Sequence, residues 1–236
     1  MNSTHFFFIV PNVLIATGGP HSTEIFNLLS DFFTCSDFGD YPIKSLSGAV
    51  GSSLGSIPVI CGGRVLESLE PSINRCYGYI QNRWQEFAIM TQGRSSAAAI
   101  VYKNSLYISG GLIYPSKPAL QSTEIIHANG TITVGVDLPQ PLYLHAITSV
   151  NESFSIFTGG NKQSNLTWYY NHVTDKFILG PHLREGRNSH AAGTLIDHGT
   201  NMKIPVVTGG IGAMNGQLNS TEFLINGEWL KGKKRH

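Results

Sequence analysis

Apolar and polar positions along the chain fall into short alternating runs separated by turn residues, a pattern typical of β-strands. The most regular element is an apolar run, mostly β-branched, that ends in a small residue and two glycines. It occurs five times, as Val13–Gly19, Pro58–Gly63, Leu106–Gly111, Ser155–Gly160 and Pro205–Gly210. The second glycines stand at 19, 63, 111, 160 and 210, so the steps are 44, 48, 49 and 50 residues. A period near 50 residues indicates a repeat architecture.

The fullest repeat begins near Arg94 and predicts four antiparallel strands. Its predicted strands are 96–101, 106–109, 123–126 and 131–136, with a hairpin turn at Asn129-Gly130. The third strand opens with Ser-Thr-Glu, a phrase that recurs at residues 22–24, 122–124 and 220–222. We expect the three glutamates to lie at the same position of different repeats, one blade apart, each bound to neighbouring backbone or to an arginine. Four antiparallel strands per repeat predict the blade of a β-propeller.

These repeats resemble kelch repeats. The resemblance rests on the period, the five glycine pairs, the lead-in Arg187-Asn188-Ser189-His190, and aromatic residues on fourth strands at Trp84, Phe177 and Trp229. It covers residues 13–230 and implies an all-β, kelch-type β-propeller of four-stranded blades. Five repeats are visible, and the alternative is an incomplete six-bladed ring. The segments Val59–Gly63 and Cys76-Tyr77 further resemble extracellular kelch-type proteins of invertebrates.

The two ends of the chain are assigned separately, as a strand or leader at residues 1–12 and a basic tail at residues 231–236. Phe6–Val10 has the apolarity of a signal-peptide core, but no Lys or Arg precedes it and Pro11 interrupts it. We therefore expect a strand pair with Val13–Ala16. If the ring closes, we expect Phe6–Val10 to pair with the strand around residues 228–230; otherwise we expect the first repeat to be incomplete.

Composition narrows the classes of partner. The chain has 16 basic and 15 acidic side chains, a net charge of +1, and no basic stripe of the kind that nucleic-acid binding requires. No stretch approaches the 18 apolar residues of a membrane span. Charged residues make up only 13% of the chain and glycines number 26, which suits an all-β protein with many turns.

Two of the three cysteines fall where they can face each other. Cys61 ends a predicted second strand and Cys76 begins the next strand, and Cys35 is left over. We predict a Cys61–Cys76 disulfide, with two separate buried thiols as the alternative that a cytosolic protein would favour. A loop of 15 residues would contribute about 3 kcal/mol in the chain-entropy model.

The sequence contains no established catalytic motif. None of the nine histidines forms a close metal-ligand pair, so neither a metal nor another cofactor is predicted. His145 and His190 begin first strands in two repeats, which favours a shared packing role. The alternative is a propeller enzyme of the galactose-oxidase-like or sugar-converting kind. Copper radical oxidases of this shape need a facing Cys–Tyr pair, whereas Cys76 and Tyr77 are sequence neighbours.

Five Asn-x-Ser/Thr sequons are present, at Asn2, Asn129, Asn151, Asn165 and Asn219. The last four fall in predicted turns or loops, where glycans attach. Together with the cysteines they favour an extracellular, secreted protein, with a cytoplasmic location as the alternative.

We therefore interpret the chain as a non-catalytic protein-interaction module that binds a protein partner through one rim of the propeller. Binding residues concentrate on loops of rigid scaffolds, and Tyr and Arg often dominate interfaces. The loops after the glycine pairs and the lead-ins to first strands supply the candidates, which are Arg64, Glu67, Arg94, Tyr114, Lys117, Arg187 and Met214. A third interpretation makes the chain a fragment of a larger kelch adaptor.

Overall fold

The structure, a computed structural model, consists of β-strands and turns, with no α-helix in the part of the chain that it describes. It describes the backbone of four strands between residues 6 and 37, and backbone and side chains of residues 41–66, 68–116, 118–213 and 216–232. None of these residues belongs to a helix long and apolar enough to cross a membrane. The chain divides into two compact units, Met1–Asp137 and Leu138–His236.

The first unit holds three antiparallel sheets of four strands, one for each of the first three repeats. Repeat 1 comprises β1 (Phe6–Val10), β2 (Val13–Gly18), β3 (Ser22–Asn27) and β4 (Ser36–Asp37). Repeat 2 comprises β5 (Leu46–Leu54), β6 (Ile57–Val65), β7 (Arg75–Ile80) and β8 (Arg83–Ile89). Repeat 3 comprises β9 (Ala98–Tyr102), β10 (Ser105–Ser109), β11 (Thr123–His127) and β12 (Ile132–Val134).

The second unit holds two further sheets of the same kind, in which neighbouring strands are also consecutive along the chain. Repeat 4 comprises β13 (Ala146–Ser149), β14 (Phe154–Thr158), β15 (Thr167–Asn171) and β16 (Lys176–Leu179). Repeat 5 comprises β17 (Ala191–Asp197), β18 (Met202–Thr208), β19 (Thr221–Ile225) and β20 (Glu228–Lys231). The predicted four-stranded repeats are therefore confirmed. The glycine pair directly follows the second strand in repeats 3 to 5, whereas in repeat 2 it lies within β6.

The strand described before residue 13, β1, belongs to the first sheet. Phe6–Val10 pairs along its whole length with Val13–Gly18, as expected for a strand pair. At the other end of the chain, Glu228–Lys231 pairs with Thr221–Ile225. Both strands thus belong to the sheets of their own repeats.

The glycine pairs allow one repeat to approach the next closely. The N–H of Gly63 donates to the carbonyl oxygen of Arg94 at 2.8 Å, and the N–H of Gly160 donates to that of Arg187 at 2.9 Å. Gly62 and Gly159 both have positive φ, and a Cβ on either would lie 2.5 Å or less from these same carbonyl oxygens. Only glycine tolerates both the backbone angle and the approach.

Apolar faces of neighbouring sheets form the cores. In the first unit, Val59 and Cys61 of repeat 2 pack with Leu106, Ile108 and Ile126 of repeat 3. In the second unit, Ile156 packs with Leu183, Val207, Leu224 and Trp229. Burying each of these large side chains contributes about 1.5–3 kcal/mol to the hydrophobic stabilisation.

The Cys61–Cys76 disulfide is present in the structure. The two residues are direct partners in the β6–β7 register, their Cα atoms lie 4.0 Å apart, and both side chains are fully buried. The other repeats carry hydroxyl groups at the corresponding cross-strand position, as in the hydrogen-bonded pair Thr123–Ser109. The disulfide therefore replaces a pair of small polar side chains that the fold already accommodates.

We expect the double substitution Cys61→Ser with Cys76→Thr, which copies the pair of repeat 3, to fold with a free energy of unfolding lower by about 3 kcal/mol. The loss arises because the unfolded chain is no longer constrained by the 15-residue loop. Urea unfolding of both proteins under oxidising conditions measures it. Equal unfolding free energies, with no bridged peptide in a non-reducing digest of the wild type, would contradict the disulfide.

Candidate functional site

Two of the predicted binding residues form one surface in the first unit. The guanidinium carbon of Arg64, near the end of β6, lies 4.7 Å from the centroid of the Tyr114 ring, which follows β10. Both side chains are partly exposed. This distance is within the range of a cation–π interaction. The loops after two successive glycine pairs thus meet, as the sequence predicts.

Ser72 holds the backbone beneath this surface. The N–H of Tyr114 donates to Ser72 Oγ at 2.8 Å, and Ser72 Oγ donates to the carbonyl oxygen of Leu112 at 3.2 Å. The N–H of Ser72 in turn donates to the carbonyl oxygen of Tyr114 at 3.2 Å. Ser72 itself is buried. These bonds fix the loop of repeat 3 against the loop of repeat 2 and thereby fix the tyrosine beside Arg64.

The remaining rim candidates do not all join this surface. Glu67, Lys117 and Met214 lie outside the described residues. Arg94 and Arg187 are described, but they are 1% and 0% exposed. The prediction that these two arginines contact a partner is therefore wrong.

The burial of Arg94 and Arg187 has a physical cause that the two share. The two guanidinium groups share four kinds of acceptor on their own repeats: the carbonyl oxygen of the first glycine of the pair, the carbonyl oxygen and hydroxyl of a serine, and a glutamate carboxylate. For Arg94 these are Gly110 at 2.9 Å, Ser122 at 3.0 and 3.2 Å, and Glu124 at 2.7 Å. For Arg187 they are Gly209 at 2.8 Å, Ser220 at 3.2 and 3.0 Å, and Glu222 at 2.8 Å. Arg187 Nε also donates to the carbonyl oxygen of Glu185 at 3.3 Å. The arginines do meet carboxylates, but inside the protein.

The glutamates of the Ser-Thr-Glu phrase complete these buried networks. Glu124 also accepts from the N–H groups of Thr91 at 2.7 Å and Gln92 at 3.2 Å, and Glu222 accepts from two backbone N–H groups in the same way. Burial lowers the pKa of the Arg94 guanidinium, while the hydrogen bond and charge of Glu124 oppose that shift. The expectation that the recurring glutamates of repeats 3 and 5 are tied to backbone and to arginine agrees with this arrangement.

His145 and His190 are buried at equivalent positions, immediately before β13 and β17. Nε2 of His190 lies 2.8 Å from Thr158 Oγ1, and the His145 ring stacks on Phe157. Burial lowers the pKa of each imidazole to about 3, and Arg187 and His145 lower that of His190 further. Both rings are therefore neutral at physiological pH and serve packing rather than acid–base chemistry.

One nucleophile–base pair escaped the sequence analysis. Ser155 Oγ lies 2.7 Å from Nε2 of His172, and the Tyr170 hydroxyl donates to Asp175 Oδ1 at 2.6 Å. The serine is buried, however, and burial lowers the pKa of His172 to about 4, although Asp175 raises it. An enclosed serine beside so weak a base lacks the access and basicity that nucleophilic catalysis requires. No sequence motif links these residues, which are 17 positions apart.

Cys76, the cysteine next to Tyr77, is engaged in another bond. The sulfur of Cys76 is bonded to Cys61 and so forms no link to a tyrosine. Within the described ranges, no group of three or more His, Cys, Asp or Glu side chains is placed to hold a metal ion.

The second unit contains an open cavity of about 480 Å³ beside β19 and β20. Its lining includes Glu185, Asn219, Phe223 and Lys231. Glu185 accepts a hydrogen bond from Ser220 Oγ at 2.8 Å, which lowers the pKa of that carboxyl, and Lys231 Nζ lies 3.4 Å from it. The carboxylate and the ammonium group thus neutralise each other across the cavity wall.

The predicted glycosylation sites are accessible. Asn129, Asn151, Asn165 and Asn219 are all exposed, whereas Asn2 lies outside the described residues. Asn129 occupies the β11–β12 hairpin turn, where its Oδ1 accepts from the N–H and hydroxyl of Thr131. Glycan attachment requires an exposed asparagine, and the modification itself stays a prediction.

Comparison with known proteins gives one curated relative and a fold match. No protein-family model matches the chain. The spermatocyte protein spe-26 of Caenorhabditis elegans is 32% identical over 115 residues, which is 47% of this chain. The matched segment spans 20% of that protein, so this chain corresponds to only part of its relative's length.

A solved structure titled "Structure of YjhT", a kelch-like β-propeller, superposes with a TM-score of 0.82. The superposition covers 98% of this chain and 84% of the other. Sequence identity is 12%, so the similarity concerns the fold alone. The chain therefore has an all-β fold of four-stranded antiparallel sheets that is similar to a β-propeller.

Proposed function

We propose that this protein is a non-catalytic binding module that holds a protein partner through the Arg64–Tyr114 surface. The observation that carries the proposal is the pair itself, in which two loops from successive repeats are tied at Ser72 and present a stacked arginine and tyrosine. Arg and Tyr are the residue types that contribute most at interfaces. The two lead-in arginines, Arg94 and Arg187, are engaged in internal hydrogen bonds.

The same proposal assigns the repeats to the kelch type. Support comes from the coupling of three sequence features in repeats 3 and 5: the glycine pair, the lead-in arginine and the Ser-Thr-Glu phrase bind one another. Because the curated relative is much longer than the matched segment, a role as part of a larger adaptor is the alternative within this class.

We also propose an extracellular location. The buried Cys61–Cys76 disulfide supports it, since disulfides persist in oxidising compartments. The four exposed sequons are compatible with passage through the secretory pathway. A cytoplasmic location would require the two thiols to remain reduced.

Tyr114→Ala should weaken capture of the partner by at least about tenfold, near 1.4 kcal/mol, without lowering the melting temperature. The substitution removes the ring on which Arg64 rests, while the hydrogen bonds of Ser72 to backbone groups stay in place. Affinity capture with mass spectrometry identifies the partner, and biolayer interferometry then gives the dissociation constants.

Tyr102→Ala is the matched control. Lys103 Nζ lies 5.3 Å from the Tyr102 ring centroid, so this pair is also cationic and aromatic, but it stands at the β9–β10 turn, at the opposite end of the strand. Capture that survives Tyr114→Ala and is lost with Tyr102→Ala would move the binding surface to the other rim.

A further inference from the structure

We propose that the Arg64–Tyr114 surface receives a single carboxylate of its partner, presented next to an apolar side chain. The inference rests on the proposed binding function and names the chemistry that the surface recognises.

The charge of Arg64 is uncompensated in the described part of the chain. Arg75 and Arg184 pair with Glu86 and Glu228 on the surface, and Arg94 and Arg187 have buried glutamate partners. Arg64 has no carboxylate within ion-pair distance among the described residues, and its recorded contact is the face of Tyr114. A cation–π contact uses the charge of the guanidinium and takes up no acceptor, so the N–H donors along the edge of the group stay available. That edge matches the two oxygens of a carboxylate.

The surface is also fixed before a ligand arrives. The hydrogen bonds between Ser72 and the backbone of Tyr114 hold the loop that carries the ring, and the guanidinium carbon of Arg64 lies 4.7 Å from the ring centroid. Long side chains normally lose conformational freedom on binding, and a stacked arginine has already lost part of it. A modest contact at this surface therefore suffices for measurable binding.

The neighbouring loop limits which acidic ligands fit. Leu69, in the segment between β6 and Ser72, is 79% exposed, and the adjacent Glu70 is exposed as well. Both residues stand within three positions of Ser72, which is bonded to the Tyr114 backbone, so an exposed apolar side chain and an exposed carboxylate lie on the same loop. The combination favours one carboxylate flanked by an apolar residue over a polyanion, since like charges at short distance are unfavourable.

Two blocked tripeptides test this chemistry: acetyl-Leu-Asp-Leu-amide and the same peptide with Asn in place of Asp. We expect the Asp peptide to bind about tenfold more tightly, as one charge-assisted bidentate contact supplies. Chemical shifts of backbone amides and of arginine Nε–Hε groups, followed during titration of the full chain, measure both dissociation constants. Arg64→Met should abolish the difference. Arg83→Met is the control, because Arg83 is exposed at the β7–β8 turn, away from this surface.

Three results would overturn the inference. In the first, the Asp and Asn peptides bind equally, or neither binds at peptide concentrations up to about 10 mM, well above the dissociation constant of a weak 1 mM contact. In the second, Arg83→Met lowers the affinity for the Asp peptide as much as Arg64→Met does. In the third, a hexa-aspartate peptide binds more tightly than the single-Asp peptide. The two proposals can be told apart. If Tyr114→Ala abolishes partner capture but Arg64→Met does not, the binding surface is supported and the carboxylate specificity is contradicted.

Discussion

Replacing Arg187 by leucine should lower the free energy of unfolding by about 3–5 kcal/mol. The substitution removes every donor that the guanidinium supplies to Gly209, Ser220 and Glu222, and it leaves the fully buried Glu222 carboxylate without its counter-ion. An unpaired buried charge is among the costliest changes a core accepts. Urea unfolding followed by tryptophan fluorescence measures the loss.

Arg75→Leu is the matched control for this prediction. Arg75 is also ion-paired with a glutamate, Glu86, but both side chains are substantially exposed. An exposed pair contributes at most about 1 kcal/mol, because solvent screens it and its side chains lose entropy. Equal losses for Arg187→Leu and Arg75→Leu would show that the network around Arg187 is not the source of stability that its burial implies.

Repeats 2 and 4 carry other side chains at the positions of the buried ion pair. The strand registers place Leu46 and Leu142 at the arginine position of repeats 2 and 4, four residues before the first-strand residue that faces the residue preceding the glycine pair. The glutamate position is Tyr77 in repeat 2 and Trp168 in repeat 4. Arginine and glutamate are thus present together or absent together in repeats 2 to 5.

The exchange extends to a third position. Glu124 accepts from the N–H of Thr91, three residues before Arg94. The corresponding residue three positions before Leu142 is Pro139, which has no N–H to satisfy. Repeat 4 therefore lacks the buried cation, its carboxylate and one donor at the same time.

Accordingly, Arg187→Leu combined with Glu222→Trp should regain part of the stability that Arg187→Leu loses, since well-packed apolar groups often replace buried ion pairs without loss.

The strands were predictable from sequence because each repeat restates the same local signals. Five glycine pairs, turns such as Asn129-Gly130 and β-branched runs all point to one architecture, and agreement across repeats makes each single assignment stronger. The Cys61–Cys76 pairing was predictable for the same reason, since two consecutive strands fix which residues oppose each other.

The burial of Arg94 and Arg187 was not predicted, because sequence reasoning treated each motif separately. Arginine at the start of a strand is normally a surface residue, and the carboxylate that draws it inward lies 30 or 35 positions away. The signal was nevertheless present in repeats 2 to 5, where the repeats that lack the lead-in arginine also lack the third-strand glutamate. The Arg64–Tyr114 contact is of another kind, since it depends on how the loops of two repeats meet at Ser72.

Acidification from pH 8 to pH 5 should lower the free energy of unfolding by about 4 kcal/mol through His145 and His190 together. Burial lowers the pKa of each ring to about 3, whereas an unfolded histidine titrates near 6.5. Between these values the unfolded state binds more protons than the folded state, so stability falls as the pH falls. Each ring contributes about 1.4 kcal/mol per pH unit, or about 2 kcal/mol at pH 5. The half-buried His172 acts in the same direction.

The histidine contribution is measured as the slope of unfolding free energy against pH between 7 and 5, a window above the ordinary titration of carboxyl groups. His145→Ala is the informative variant, because Ala97 occupies the equivalent position of repeat 3 and His145 makes no side-chain hydrogen bond. The slope, averaged between pH 7 and pH 5, should fall by about 1 kcal/mol per pH unit whatever the variant's stability at pH 7. His198→Ala, at an exposed turn, should leave the slope unchanged. If His145→Ala keeps the full slope, the imidazole is not buried in its neutral form, and the packing assigned to the start of β13 is wrong.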